Sequence, residues 1–588
     1  MNIIHKISDK IKEIFQKHFG VEILVSQIKI EKTKKTFTGD FTINVFPFLR
    51  LTKKSPEDTA TIVGEILKKE ISEIKDYNVI KGFLNLSLTD EFWYHILDNE
   101  IIVRQQIKEK IVLEFSSPNT NKPLHLGHIR NNLLGDSLAR ILKRNGKQVI
   151  KVNLVNDRGI HICKSMLAWQ RFGGGETPET SGKKGDKLVG DYYVLFDKKY
   201  REEQQSLQAN GMDKETALQK SNLMADAREM LRKWELGDKA VYALWRKMNA
   251  WVYKGFDETY KKLGISFDKV YYESETYKNG KAIIDKGLEK SIFFKKQDGS
   301  VWIDLTKDGL DEKLLLRSDG TSVYITQDIG TFLIRDNEWQ ADKYMYVVGN
   351  EQKYHFKVLK LILKKLNYDA DKIQHVSYGM VNLPHGKMKS REGTVVDADD
   401  LIAEMPEQAK IKANAAGKLH NLTELEKQET YRIIGIGALK YFILKVDAKK
   451  DILFNPEQSV DFEGNTAPFI QYSYARIRSL FRKASNQGII PKLQTDNYEL
   501  NEQERDILKW IFDYPYTITQ AANTLNPAVV ANYAYGIAKA FNQFYQANPI
   551  LKNTELHIAA FRLQLSIKVG EVIKDALDLL GIEVPDRM

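Results

Sequence analysis

Apolar side chains in the first hundred residues follow two different spacings. The three- and four-residue spacing of an amphipathic helix appears at Ile11, Ile14, Phe15, Ile62 and Ile66. Short apolar and β-branched runs, 23–25 and 83–88, indicate strands. The mixture predicts a small α+β module that ends near residue 107, because the charged stretch 104–110 then leads into a new apolar strand.

A different pattern, strand then loop then helix then strand, begins at the apolar run 111–113. A loop over 116–127 comes next, and the following helix carries an apolar stripe. That stripe consists of Leu134, Leu138, Ile141 and Leu142. The next run, 149–155, is apolar enough to be covered on both faces. This order predicts a βαβ unit of a parallel sheet.

Two further pieces of the same sheet are expected later in the chain. The run 344–348 precedes a helical pattern over 354–366, and the run 376–380 precedes a loop rich in Gly and Lys. Open parallel sheets bind their ligands beyond the carboxyl ends of the strands. The loops expected to converge there follow residues 115, 155 and 348.

The rest of the chain is predicted to be mainly helical. The loop 173–186 leads into charged helices over 191–263, which we interpret as an insertion, and strand signals are rare beyond about residue 400. The predicted fold class is multidomain α/β. It comprises an N-terminal α+β module over 1–107, a Rossmann-like parallel-sheet domain with insertions over 108–455 and an all-α C-terminal domain over 456–588.

The composition narrows the class of protein. A single cysteine, Cys163, excludes an intrachain disulfide framework and a zinc site of several thiolates, and we interpret it as a small residue near a strand end. The net charge of +10 is only weak support for a polyanionic partner. No apolar run is long enough to span a membrane, and Asp9 and Glu13 interrupt any signal-like stretch. We therefore expect a cytoplasmic protein without a membrane partner.

The loop before the first predicted helix of the sheet ends in the tetrapeptide His125-Leu126-Gly127-His128. Helix-terminal N–H groups attract an anion there, Gly127 lets a nucleotide approach the backbone, and two imidazoles can donate to phosphate oxygens. A His-x-Gly-His tetrapeptide arises by chance about 0.01 times in a chain of this composition. The alternative is a loop whose histidines only cap the helix.

A second motif, HGKMKSREG over 385–393, places three cations between glycines after a predicted strand. Such a loop can close on a triphosphate and neutralise the charge that develops as pyrophosphate leaves. Taken alone, a solvated basic turn is the alternative. Together with the first motif, the loop indicates a nucleotide site.

In this order, the two motifs resemble the HIGH and KMSKS signatures of class I aminoacyl-tRNA synthetases. Segments that resemble arginyl-tRNA synthetases extend over the chain: 114–119, 122–125, 324–330, 391–396, 474–479 and 580–588. The resemblance implies an enzyme that activates L-arginine with ATP and loads it onto tRNA(Arg), with tRNA required for activation. It also implies an additional tRNA-contacting domain over 1–107 and an anticodon-binding domain over 456–588.

The resemblance further implies roles for the residues that match the family's motifs. The catalytic set is Lys122, His125, His128 and Lys387. ATP contacts are expected from His125, Gly127, His128, Lys387, Met388, Lys389 and Ser390. Arginine contacts are expected from Glu114, Asn119, Tyr324 and Asp328, and tRNA contacts from Tyr474, Arg476, Arg478, Tyr533 and Asn542.

One position departs from the family pattern. After Lys387 and Met388 the chain reads Lys389-Ser390-Arg391, so the second lysine of KMSKS is replaced. Many arginine enzymes resemble this chain in that respect, and there a lysine just before the first motif is thought to compensate. Lys122 occupies that position, and Lys389 is the alternative.

A binding pocket for arginine requires acidic residues. A guanidinium is planar, always charged and has five donors, so a selective pocket needs carboxylates at fixed positions. Glu114 at a strand end and Asp328 one helical turn after Tyr324 are the candidates. Without the resemblance, a surface strand end and a helix N-terminal carboxylate are the simpler interpretations of the two acids.

The same resemblance implies tRNA(Arg), L-arginine and ATP as partners, with Mg²⁺ entering as part of the ATP complex. It also implies a monomeric enzyme with no zinc or other resident metal.

Three alternative functions remain open from the residues alone. These are a small-molecule nucleotidyltransferase with a similar histidine loop, a non-catalytic RNA-binding paralogue, and a synthetase for another amino acid.

Overall fold

The computed structural model describes residues 3–34, 36–98, 108–382, 396–417, 419, 422–491, 498–552 and 555–588. The chain forms two compact units. The first unit comprises Met1–Ile102, Leu480–Tyr514 and Ala540–Val569. The second unit comprises Val103–Ser479, Pro515–Lys539 and Gly570–Met588. The division of the chain at residues 107 and 455 stays a prediction.

The first unit contains an antiparallel sheet and the N-terminal helices. Its strands are β1 (Ile30–Lys32), β2 (Phe41–Asn44), β3 (Ile74–Ile80) and β4 (Phe83–Leu88), in the order β1-β2-β4-β3. Its N-terminal helices are α1 (Ile3–Phe19), α2 (Leu49–Thr52), α3 (Pro56–Glu70) and α4 (Asp90–Asp98). The hairpin between β3 and β4 turns at Lys81 and Gly82, whose φ angles of 50° and 76° suit a tight two-residue turn. The predicted α+β character of the module is confirmed.

One prediction in this module is wrong. The run 23–25 was expected to be a strand, but Val25–Gln27 forms a single 3-10 turn. Ile23 is buried while Leu24 is 64% exposed. A run of three residues has too few positions to define a period of two, so one buried anchor in a turn gives the same pattern.

The second unit is built on parallel strands, with two smaller sheets beside them. Its strands are β5 (Lys110–Glu114), β6 (Gln148–Val155), β7 (Lys269–Tyr272), β8 (Phe294–Lys295), β9 (Val301–Ile303), β10 (Lys313–Leu316), β11 (Lys343–Gly349), β12 (Ile373–Tyr378), β13 (Val381–Asn382) and β14 (Ile452–Leu453). The main sheet has the order β12-β11-β5-β6-β7, and every neighbouring pair in it is parallel. This confirms the predicted parallel α/β sheet.

Helices cover this sheet and form the charged insertion. They are α5 (Leu126–Arg144), α6 (Ile160–Phe172), α7 (Pro178–Ser181), α8 (Gly185–Ala209), α9 (Lys214–Gln219), α10 (Asn222–Glu235), α11 (Lys239–Lys262), α12 (Glu273–Glu289), α13 (Tyr324–Trp339), α14 (Lys353–Lys365), α15 (Ala398–Ala415), α16 (Glu424–Leu444) and α17 (Pro456–Ser459). No helix among the described residues is long and apolar enough to cross a membrane.

The strand order locates the ligand edge of the sheet. From β5 the chain moves outward to β6 and β7, and then returns to the other side of β5 for β11 and β12. The connections therefore diverge between β5 and β11, and a crevice opens at the carboxyl ends of these two strands. Glu114 ends β5 at that edge, and Tyr346 of β11 is its partner in the register.

The C-terminal region is helical, as predicted. Its helices are α18 (Ala467–Asn486), α19 (Glu502–Thr524), α20 (Ala528–Ala547) and α21 (Leu556–Leu579). Residues from each of these helices occur in both compact units.

The prediction for Cys163 is wrong, because this residue lies inside α6 and not near a strand end. Burial raises the pKa of its thiol to about 12, so it is an inert core residue.

Candidate active site

A cavity of about 780 Å³ lies at the carboxyl ends of the parallel strands. Ser117, Asn156 and Gly349 all line it, so the three loops after residues 115, 155 and 348 converge as predicted. The cavity brings together six of the predicted site residues. These are Glu114, His125, Gly127, His128, Tyr324 and Asp328.

The histidine end of the cavity is the turn that starts α5. His125 is the N-cap residue, and its Nδ1 accepts a hydrogen bond from the Gly127 N–H at 3.1 Å. The Nδ1 of His128 accepts one from the His125 N–H at 3.2 Å. Because both Nδ1 atoms are acceptors, each neutral ring carries its proton on Nε2. Both imidazoles can therefore donate from Nε2.

Burial keeps these two rings neutral. Burial and the nearby charge of Lys122 lower the pKa of His125 to about 4. Burial, His125 and Lys122 together hold the pKa of His128 well below its usual value. At pH 7 the site therefore offers neutral N–H donors, with the positive charge on Lys122 beside them.

Gly127 has a steric role in this turn. A Cβ atom there would lie 2.9 Å from Cε1 and 3.1 Å from Nδ1 of His125, which is closer than the ring permits. The turn into the motif also bends sharply at Ser116, whose φ is 65°. Asn131 of α5 accepts the Ser116 N–H at 2.5 Å and so holds that unusual conformation.

Lys122 and Asn119 flank the cavity and are not among its lining residues. Asn119 is exposed, and its backbone pairs with Asn156 in a parallel bridge. Lys122 is partly exposed and lies close enough to both histidines to lower their pKa values. The side chains of Lys122 and Asn119 therefore lie at the rim of the cavity.

The predicted residues of the second motif, Lys387, Met388, Lys389 and Ser390, lie outside the described residues. The backbone just after this motif runs beside the first one. Leu126 N–H donates to the Val396 carbonyl at 3.2 Å, and Ala398 N–H donates to the Leu124 carbonyl at 2.9 Å. Residues 396–398, which follow the second motif, therefore pair with the first motif in an antiparallel backbone contact.

The wall next to the histidines is held by a buried arginine of α5 that the sequence did not single out. Arg130 is fully buried and donates to the carbonyls of Met380, Ala448 and Lys450 at 2.6, 3.0 and 2.6 Å. Met380 lines the cavity, and its own N–H donates to Asp451 at 2.7 Å. The planar guanidinium of Arg130 therefore holds the backbone at these three carbonyls in place.

A second part of the cavity lining, the carboxylate end, consists of acidic residues and their neighbours. Asp328 of α13 is 38% exposed, and its Oδ2 lies 2.5 Å from Nε2 of His355. Tyr324, the first residue of α13, is 77% exposed. Glu114 is buried and forms an ion pair with the fully buried Arg335. Tyr324 therefore faces open space, whereas Asp328 and Glu114 each have one oxygen engaged by a neighbouring side chain.

Glu273 is a third carboxylate in this end, and it was not among the residues predicted from the sequence. It is the first residue of α12, directly after β7, and it lines the cavity. Burial raises its pKa to about 7, although Arg158 and a hydrogen bond from Gln327 act in the other direction. Its position after a parallel strand was the signal that could have found it.

The predicted tRNA-contacting residues differ in exposure. Tyr474 and Tyr533 are buried, and burial raises the pKa of Tyr533 well above its usual value. Arg476, Arg478 and Asn542 are partly exposed, and Arg478 forms a 3.0 Å ion pair with Asp586. The two tyrosine rings are helix-packing residues, so neither has a free face for a base in this structure.

Three family models match consecutive parts of the chain. Residues 1–88 match the arginyl tRNA synthetase N terminal domain, residues 95–455 match the class I (R) tRNA synthetase catalytic domain, and residues 470–588 match the DALR anticodon binding domain.

Curated relatives and solved structures agree with these models. An arginine–tRNA ligase of Parabacteroides distasonis is 55% identical over 98% of both chains, and one of Bacteroides fragilis is 55% identical over 97% of both. The arginyl-tRNA synthetase structure of Thermus thermophilus covers all of both chains with a TM-score of 0.81 at 23% identity, a likeness of fold.

Proposed function

The chain belongs to the arginyl-tRNA synthetase family, whose members use ATP to join arginine to tRNA(Arg), and we propose how the residues of its cavity divide this work. The histidine end binds ATP, and the carboxylate end binds arginine. The observation that carries this proposal is that neutral N–H donors and ionisable carboxylates line one cavity at the carboxyl edge of the parallel sheet.

At the histidine end, Nε2 of His125 and His128 donates to the phosphates of ATP, and Gly127 lets the nucleotide approach the start of α5. Support comes from the two Nδ1 atoms, which accept backbone N–H groups and leave Nε2 as the donor. Lys122 adds positive charge at the rim. The second motif contributes the remaining phosphate contacts through Lys387, Met388, Lys389 and Ser390.

Neutral donors suit this step for a physical reason. The negative charge on the phosphates grows as the bond to pyrophosphate breaks, and fixed N–H groups stabilise it without moving. The rings do not change protonation near pH 7, because the pKa of His125 is about 4 and that of His128 is also strongly lowered. Lys122 and Lys387 supply the full charges. Mg²⁺ enters with ATP as part of that substrate.

At the carboxylate end, Asp328 and Glu273 accept the guanidinium of arginine, and Tyr324 packs against it. Support comes from the exposure of Asp328 and Tyr324 toward the cavity and from the partly desolvated Glu273 beside them. A planar cation with five donors satisfies several carboxylate oxygens at once, and lysine does not. Glu114 also contacts the guanidinium, and Asn119 binds the α-amino group of the same substrate.

The reaction then needs mainly positioning. The arginine carboxylate attacks the α-phosphorus of ATP, forming arginyl-adenylate and releasing pyrophosphate. A hydroxyl of the terminal ribose of tRNA next attacks the arginyl carbonyl, forming arginyl-tRNA and releasing AMP. No residue of the chain has to form a covalent bond with the substrate in either step.

The tRNA is held by the flanking regions. Residues 1–107 contact its body, 108–455 contain the catalytic site, and 456–588 bind the anticodon. Among the proposed contact residues, Arg476, Arg478 and Asn542 are partly exposed, while Tyr474 and Tyr533 act by shaping the helices that carry them. The enzyme acts as a cytoplasmic monomer.

Arginine-dependent exchange of pyrophosphate into ATP tests the proposal. We expect exchange with arginine that requires added tRNA, and none with lysine or citrulline, because citrulline keeps the shape of the side chain but lacks its charge. Full exchange with citrulline would contradict the assignment of the carboxylate end. Exchange without tRNA would contradict the tRNA requirement alone.

A further inference from the structure

Arg335 is a buried cation that contacts Glu114 at the carboxylate end of the cavity. It lies on α13 seven residues after Asp328, so the two side chains are two helical turns apart on nearly the same side. Its guanidinium is fully buried and forms an ion pair with Oε2 of Glu114. The other oxygen of Glu114, Oε1, accepts a hydrogen bond from the exposed Ser117 at 3.3 Å, and Glu114 lines the cavity.

Two aromatic rings define where the Arg335 guanidinium lies. Its central carbon is 4.7 Å from the centroid of the Tyr271 ring and 5.8 Å from that of Tyr346. Its Nε and Nη2 have no hydrogen-bond partner among the described residues, and Glu114 is its ion-pair partner. A cation this deeply buried is costly unless a facing anion is held in place.

We propose that Arg335 is a positioning residue for arginine recognition: it holds Oε2 of Glu114 and thereby presents Oε1 to the substrate. The inference rests on the assignment of the carboxylate end to arginine. It also gives Glu114 a different task from Asp328 and Glu273. The charge of Glu114 is offset inside the protein, so it orients the amino acid, while the other two acids balance the guanidinium charge.

The test is a double-mutant cycle of Glu114→Gln and Arg335→Lys, measured by tRNA-dependent ATP–pyrophosphate exchange at varied arginine and varied ATP. Lysine keeps the charge but removes the planar fork. We expect each single variant to raise the arginine KM about tenfold with the ATP KM within about twofold. The double variant is expected to raise the arginine KM no further than Glu114→Gln alone, because Arg335 acts through Glu114.

A second variant, Tyr271→Leu, removes one ring from the guanidinium and leaves both charges in place. We expect a smaller rise in the arginine KM with the ATP KM unchanged. Arg130→Lys is the matched control at the other end of the cavity, where a buried arginine fixes the carbonyl of Met380. It is expected to raise the ATP KM and leave the arginine KM within about twofold.

Additive effects in the cycle, or equal changes in both KM values, would overturn the proposal. So would loss of the native melting transition in both Arg335→Lys and Tyr271→Leu, since Arg335 would then be a structural residue. Asp328→Asn separates this inference from the function on which it rests. If Asp328→Asn raises the arginine KM and Arg335→Lys does not, only the positioning role fails. If neither does, the arginine site itself is wrongly assigned.

Discussion

The two ends of the cavity are built in opposite ways. The histidine end comes from four consecutive residues, His125 to His128, and both imidazole rings accept their hydrogen bonds from backbone N–H groups of this same turn. The carboxylate end combines side chains of β5, α12, α13 and α14 that are far apart in the sequence. The first end is therefore a local structure, and the second exists only once the sheet and its helices have come together.

Their electrostatics differ as well. Burial lowers the histidine pKa values so far that this end keeps one protonation state around neutral pH. Burial raises the pKa of Glu273 to about 7, so the carboxylate end titrates near neutrality. Burial disfavours the charged form of a base and of an acid alike, but only the acid changes its protonation state near neutral pH.

Substitution of His128 is expected to have the largest effect. In His128→Asn, the amide oxygen can still accept the His125 N–H, while the Nε2 donor is lost. We expect turnover in arginine activation to fall about 100- to 1000-fold, as when one donor to a transition-state anion is removed. The arginine KM and the affinity for tRNA should stay within about twofold, measured by exchange kinetics and filter binding.

His161→Asn is the matched control for that change. His161 lies on α6, where its Nδ1 is 3.0 Å from the Tyr193 hydroxyl, and it does not line the cavity. Its turnover should match that of the parent enzyme. Near-normal turnover in His128→Asn would show that the histidine end is only a helix cap.

Substitution of Asp328 is expected to break the other end. Asp328→Asn removes the charge that faces the guanidinium, and we expect the arginine KM to rise about 100-fold with little change in the ATP KM. The KM values from exchange kinetics are the measurement. Asp311→Asn, which changes a carboxylate that is 93% exposed, should leave both values unchanged. A rise in the ATP KM as large as that for arginine would contradict the division of the cavity.

The pH dependence is the smallest and most specific of these effects. Glu273 has a pKa of about 7 in the free enzyme, and its ionised form is the one that attracts a guanidinium. Raising the pH from 6 to 8 should therefore increase kcat/KM for arginine about tenfold, and lowering it should have the reverse effect. The groups around Glu273 are Arg158, Asp157, Gln327 and Asp328.

Glu273→Gln tests the origin of this slope. The variant should have a lower kcat/KM for arginine, and its profile should lose the tenfold rise between pH 6 and 8, because the carboxyl that titrates near pH 7 has been removed. A slope that persists in Glu273→Gln would assign the titration to another group.

The sequence predicted much of the second unit because its signals are local. The apolar runs of β5 and β6 and the stripe of α5 each reveal an element by themselves, and all three were predicted nearly to their ends. The run 23–25 failed because three residues carry no periodicity. The buried rings of Tyr474 and Tyr533 illustrate a further limit, since a helical stripe of aromatics has the same spacing whether it faces tRNA or a core.

The sequence by itself determined the family and the histidine end, because a strand, a tight turn and a helix start that bind phosphate must be contiguous. Only the tertiary structure decided the carboxylate end. Glu273, Arg130 and Arg335 belong to no sequence motif, and their roles depend on burial and on distant partners. Arg335 pairs with a residue 221 positions away, and Arg130 donates to a carbonyl 320 positions away. Charge in a low-dielectric interior depends on what faces it, and that is set by the packing of distant elements.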